Sequence, residues 1–203
     1  MLLKLFEDNP NTKDILKIVE ILQKGGVIIY PTDTIYAIGC DICSVKAVQQ
    51  VAALKGVKPD KANFSIICRD LGHIAEYAKV NNTTFKLMKR SLPGPFTFIL
   101  NVTHNLPNTL MNKRKTIGIR IPDNRIILDI VKELGHPLLT TSVRDDDDII
   151  EYMTDPELIY EKYKNQVDLV IDGGYGKNVA STIVDCTGNE IEIIRQGIGE
   201  LDN

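Results

Sequence analysis

A chain of 203 residues, 43% hydrophobic and 25% charged, can bury a substantial core as one domain, and nothing in it calls for two. The net charge of −3 argues against a uniformly basic nucleic-acid binder, and no apolar run approaches the about 20 residues of a membrane span. The first ten residues turn polar too early for a signal peptide and four cysteines do not make a disulfide framework, so a cytoplasmic, reducing location away from membranes is expected.

Asn11 or Thr12 can cap a first helix whose Ile15, Ile18, Val19 and Leu22 share one face and which Gly25 ends. The run at 25–41, GGVIIYPTDTIYAIGCD, then carries the densest information. Val27, Ile28 and Ile29 read as a buried strand, and the missing N–H of Pro31 ends its ladder. The hydroxyls of Thr32, Thr34 and Tyr36 emerge together at that strand end, where α/β proteins commonly keep their ligand sites. An ST-turn closing the strand accounts for the same residue types.

Ser44 can cap a second helix with Val45, Val48, Val51 and Leu54 on one face and Gly56 beyond its end. A polar loop leads to a strand at 64–68, two short helices at 71–77 and 83–89, and a strand at 96–102. Another strand at 116–121 stops at Pro122, after which Asp123 can cap a helix closed by Gly135. A strand at 137–142 follows. Asp155 and Pro156 supply an N-cap and an N1 proline for a further helix, and a strand spans 167–171. Two strand-like runs between 181 and 194, separated by Thr187-Gly188-Asn189, signal a hairpin. This alternation implies an α/β fold around a mixed, twisted sheet.

The glycine-rich run at 172–178 fails as a Walker A loop, which needs glycine at Ile171 and Ser or Thr at Asn178, and Val179 breaks the dinucleotide fingerprint. Cys40 and Cys43 form a CxxC, but no second pair accompanies them and His73, His104 and His136 are scattered, so no joint role and no protein-held metal is expected. Lys55, Lys58 and Lys61 make one positive stretch and Lys113, Arg114 and Lys115 another. The block Asp145 to Asp148 reads as a solvated loop, since adjacent like charges repel. A nucleotide site here would have to be built from side-chain cations and hydroxyls. If the strands ending at Tyr30, Ile121 and Ser142 face one cavity, then Thr32, Thr34, Arg120, Thr140 and Ser142 converge with the lysines at its mouth. Arginine would clamp a carboxylate in bidentate fashion and lysines would meet phosphates.

The segment PTDTIYAIG at 31–39 resembles the PTDTxYGLG motif of the YrdC-like family, the threonylcarbamoyl-AMP synthases and their relatives. Pro93-Gly94-Pro95-Phe96-Thr97 is similar to that family's PGPxT, Gly118-Ile119-Arg120-Ile121-Pro122 to its GxRxP, and Ser181-Thr182-Ile183-Val184-Asp185 to its STVxD. Order and spacing agree, and the resemblance runs from about residue 25 to residue 197. Three departures point to the YciO-like branch: Ala37 in place of a glycine, the altered lysine-arginine element at 55–58, and Arg144 in place of the asparagine of SxN.

The resemblance implies a twisted mixed parallel and antiparallel sheet flanked by helices around a central concave cavity. It implies formation of threonylcarbamoyl-AMP and pyrophosphate from L-threonine, bicarbonate and ATP, with Mg²⁺ bound to the ATP, for tRNA modification completed by downstream transfer proteins. The threonine side would comprise Thr32, Thr34, Tyr36, Arg120, Thr140 and Ser181. The nucleotide side would comprise Lys55, Lys58, Lys61, Thr116, Ser142, Arg144 and Arg195, and Lys55 and Arg120 would be the catalytic pair. The alternative is a YciO-like protein that binds tRNA or double-stranded RNA with weak or no synthase activity.

Overall fold

The computed structural model describes residues 1–59, 62–107, 115–143 and 151–201. Among the described residues, ten strands form one sheet: β1 (Leu2–Lys4), β2 (Val27–Tyr30), β3 (Ala37–Asp41), β4 (Ser65–Ile67), β5 (Phe96–Asn101), β6 (Thr116–Arg120), β7 (Leu138–Ser142), β8 (Leu169–Asp172), β9 (Thr182–Asp185) and β10 (Glu192–Arg195). Their order across the sheet is β1-β8-β2-β3-β7-β4-β6-β5-β9-β10. The pairs β1/β8, β2/β8, β4/β6 and β5/β9 are parallel, and the remaining five are antiparallel.

Both faces of the central strands are covered, which is why β2 reads as an unbroken apolar run. Val27 and Ile29 join one core, Ile28 and Tyr30 the other. The helices α1 (Thr12–Gln23) and α5 (Arg125–Leu134) cover the second core through Ile15, Ile18 and Leu22 and through Ile126, Ile127 and Ile130. On the opposite face lie α2 (Val45–Leu54), α3 (Leu71–Tyr77), α4 (Asn82–Ser91) and α7 (Pro156–Tyr163), contributing Val48, Val51, Ile74, Met88 and Ile159. A short α6 (Glu151–Thr154) precedes α7. The caps are Asn11, Ser44 and Asp155, as the sequence suggests, but α5 is capped by Asn124 rather than Asp123, whose backbone N–H is turned to another partner.

Two strands escape the periodicity argument. β1 is only three residues long and gains its ladder from distant β8. β3 comes after the hydroxyl-rich loop that Pro31 opens, and its glycine and cysteine give no alternation to read. Its antiparallel register, Tyr30 opposite Ala37, makes residues 31–36 the loop of a β2–β3 hairpin. Gly39 is needed within β3: a Cβ there would stand 2.6 Å from the Leu139 carbonyl oxygen and 2.8 Å from the Tyr30 ring. With no side chain in the way, the Tyr30 hydroxyl crosses over β3 and donates to Thr140 Oγ1 on β7 at 2.5 Å.

Candidate active site

The β2–β3 loop is an ST-turn, and through Thr34 and Ile35 it also lines a cleft. Thr32 Oγ1 accepts the backbone N–H of Thr34 at 3.0 Å and donates to the Ile35 carbonyl at 2.9 Å. With its proton spent there, its 3.0 Å contact to Thr34 Oγ1 must take the Thr34 proton. The Thr34 oxygen is then left to accept from Arg120 Nη2 at 2.9 Å. Arg120 ends β6 just before Pro122, and the same Nη2 donates to Asp33 Oδ1 at 3.1 Å. The other carboxylate oxygen, Asp33 Oδ2, accepts the Asp123 N–H at 3.0 Å. Asp33 thereby ties the hairpin loop to the turn between β6 and α5.

The side chains of this ion pair are 10% and 7% exposed. Burial draws the Arg120 pKa down and the Asp33 carboxylate opposes it. A guanidinium stays charged under such pressure. Its Nε is buried without a hydrogen-bond partner among the described residues, a cost of about 1–3 kcal/mol unless something else accepts from it.

Arg120 opens onto a cleft of about 670 Å³. One wall is Thr34, Ile35, Arg120 and Ser142; the other is residues 178–181 and 195–197. The second wall is knitted together by its own bonds. Ser181 Oγ lies 2.8 Å from Thr97 Oγ1, Arg195 donates to the Ser181 carbonyl at 2.9 Å, and Thr182 Oγ1 accepts the Gly197 N–H and donates to the Gly199 carbonyl. Gly197 has to be glycine, because a Cβ would fall on the Ala180 carbonyl oxygen. A smaller hollow of about 300 Å³, lined by Ser65, Thr97, Thr116 and Ile194 among others, adjoins the cleft across the Thr97–Ser181 pair.

Thr34, Arg120, Ser142, Ser181 and Arg195 are therefore brought together, and Thr116 lies in the adjoining hollow. Thr32 holds the turn, and Thr140, only 2% exposed, accepts from Tyr30; neither lines the cleft. Tyr36 departs furthest from the expectation that three hydroxyls emerge together. Its hydroxyl donates to the Gly174 carbonyl at 2.7 Å and accepts the Gly173 N–H at 3.1 Å, pinning the glycine-rich run that follows β8. Lys55 caps the C-terminus of α2 and Lys58 is exposed beyond it; neither lines the cleft or the hollow. Lys61, Lys113, Arg114, Arg144 and Asp145 to Asp148 lie outside the described residues. Sequence reasoning missed Asp33, Tyr30 and Thr97. Asp33 had a signal, since an arginine in a dry site requires a nearby carboxylate and this one stands between the two threonines.

A family model described as telomere recombination, for Sua5, YciO and YrdC, matches residues 20–197. The chain belongs to the Sua5/YciO/YrdC family. The Escherichia coli family member YciO is 41% identical over 196 residues, spanning 96% of this chain and 94% of that one. The crystal structure of YciO superposes with a TM-score of 0.90 at 40% identity, covering 98% of this chain and 97% of that chain. A Methanocaldococcus jannaschii family member named as a candidate threonylcarbamoyl-AMP synthase is 35% identical over 204 residues, covering 97% and 93%. The Pyrococcus abyssi Sua5 structure complexed with L-threonine shares the fold, with a TM-score of 0.87 at 23% identity, covering 97% of this chain and 57% of that one. No described helix is long and apolar enough to cross a membrane.

Proposed function

We propose that this chain is a threonylcarbamoyl-AMP synthase that joins L-threonine, bicarbonate and MgATP with release of pyrophosphate, for modification of tRNA. One observation carries the reading: the buried Arg120 guanidinium, fixed by Asp33 and Thr34, faces a cleft whose opposite wall presents Ser181 and Arg195. The face of the Arg120 guanidinium that lines the cleft fits a carboxylate such as that of threonine, and Ser181 can meet its amine or hydroxyl. The Sua5 neighbour's bound L-threonine and the Methanocaldococcus relative's name support the same substrate.

In this reading Arg195, across the cleft from Arg120, and Ser142, on the same wall as Arg120, meet phosphate oxygens. Catalysis then consists of holding two anions in line and neutralising the charge that grows on phosphorus as pyrophosphate leaves. Among the described residues, none that lines the cleft is a carboxylate. In this reading Mg²⁺ enters as part of MgATP, held by the phosphates.

Incubating the protein with threonine, bicarbonate and MgATP should yield pyrophosphate and the adenylate in equal amounts, both dependent on threonine. Arg120→Ala should lower threonine affinity about ten- to a hundredfold, the loss of one charged hydrogen-bonded contact. Absence of threonine binding to the wild type by calorimetry defeats the reading.

A second reading, RNA binding in the manner the sequence suggests for the YciO-like branch, is favoured by the placing of Lys55 and Lys58 outside the cleft. It expects salt-dependent double-stranded RNA binding without adenylate formation.

A further inference from the structure

At the end of β3 away from the cleft, three metal-binding side chains converge from two turns. Asp41, the last residue of β3, is 6% exposed. Two residues on, Cys43 folds back, its N–H donating to Asp41 Oδ1 at 2.7 Å. The antiparallel register sets Asp41 opposite Leu138, so the turn between α5 and β7, with His136, arrives beside them. The ligand atoms of Asp41, Cys43 and His136 all lie within 4.8 Å of one another.

We infer that Asp41, Cys43 and His136 form a zinc site. His136 Nε2 stands 3.6 Å from Asp41 Oδ1. That is too long for a hydrogen bond, but two ligands on one tetrahedral zinc, each about 2.0–2.2 Å from the ion, lie about 3.3–3.6 Å apart. The other ring nitrogen, Nδ1, is 3.3 Å from the Pro137 carbonyl. A metal-bound histidine commonly donates its other ring N–H to such a carbonyl. In that tautomer the Nε2 lone pair faces the carboxylate, and a cation between them would bind both.

A metal that displaces the Cys43 proton would gain a thiolate ligand, which selects a soft cation. Cysteine with imidazole and carboxylate suits zinc, whereas magnesium and calcium take oxygen ligands. Three protein ligands leave one position for water on the side where Cys43 is exposed and His136 half-buried. Cys40, by contrast, is buried in the core, so the CxxC spacing misleads. The proposed pattern is Asp-x-Cys with a distant histidine, where the sequence led to an expectation of no protein-held metal. Ser142 lines the cleft at the other end of β7, opposite Ala37, about 14 Å away along four strand residues. The ion would pin the β3–α2 turn to the α5–β7 turn without touching substrate.

The test is titration of the chelator-stripped full chain with Co²⁺ and, in competition, Zn²⁺. One equivalent of Co²⁺ should give tetrahedral d–d bands and a thiolate charge-transfer band that Zn²⁺ abolishes. Outer-shell changes around metals commonly weaken binding about 10–100-fold, so losing a ligand in Cys43→Ser or His136→Ala should weaken it at least about a hundredfold. Cys43→Ser should also remove the charge-transfer band, and both variants should keep wild-type threonine affinity, which reports that they are folded. His104→Ala should bind as the wild type does. No charge-transfer band in the wild type, an unchanged affinity in Cys43→Ser, or a loss with His104→Ala equal to that with His136→Ala would overturn the assignment.

Discussion

Asp33→Asn separates the two things Asp33 does. The amide keeps the size and one acceptor oxygen, so the Asp123 N–H can still be met, but the counter-charge of Arg120 disappears. At 10% and 7% side-chain exposure the pair is buried, and stripping one partner from a buried pair costs about 3–5 kcal/mol. The retained acceptor argues for the lower end, about 3 kcal/mol. For a chain of 203 residues, each kcal/mol moves the melting midpoint by about 2–4 °C, which gives a fall of about 6–12 °C by calorimetry. Threonine should restore part of this, because its carboxylate supplies the missing negative charge. Saturation at about a hundred times the dissociation constant adds about 2.7 kcal/mol by mass action, and the variant should bind threonine at least as tightly as the wild type. A melting midpoint within about 2 °C of wild type, or a threonine affinity that collapses as in Arg120→Ala, refutes the electrostatic account of this site.

Tyr36→Phe removes both bonds to the glycine-rich run and should cost about 1–3 kcal/mol in urea denaturation, with threonine affinity unchanged. Gly197→Ala forces residues 195–197 away from the Ala180 carbonyl, so ATP-dependent pyrophosphate release should fall together with the melting midpoint. His73 is 1% exposed and its pKa is lowered from 6.5, by burial first and then by Arg69, with its Nδ1 accepting the Arg69 N–H. The unfolded imidazole therefore takes up its proton at a higher pH than the folded one. Stability is complete above about 6.5 and is lost as pH falls through the depressed folded value, and His73→Gln should flatten that acid limb in pH-dependent melts.

Elements whose apolar spacing is internal to the segment were readable: α1 with its cap, the buried run of β2, and the β9–β10 hairpin around Thr187 to Asn189; α2 and its Ser44 cap were found, but its buried face is Ala47, Val48, Val51 and Ala52, and Val45, expected on that face, is exposed. β1 and β3 were not, because their stability comes from partners far along the chain, Leu2 beside Val170 and Gly39 beside Thr140. The site divides the same way. Thr34, Arg120 and Ser181 were named by residue type and motif, and all three line one cleft. Tyr36 was misread because a side chain two residues further on points elsewhere once the segment becomes a hairpin loop. The Asp41, Cys43 and His136 cluster was invisible because it depends on the β3–β7 register, and the CxxC spacing drew attention to Cys40, the wrong neighbour.

The two hydrogen bonds that define the cleft, Thr34 with Arg120 and Thr97 with Ser181, span 86 and 84 residues. Contacts closing loops of that length form late, since their entropy must be met before they are rewarded. The wall at 178–197 docks through the parallel pairing of β9 with β5, which in turn lies against β6. On a growing nascent chain, ligand cannot be held until residues past 197 have emerged, however well folded the earlier layers are. Recovery of threonine binding after dilution from denaturant should therefore lag behind the return of helical circular dichroism, and the lag measures the docking of that wall.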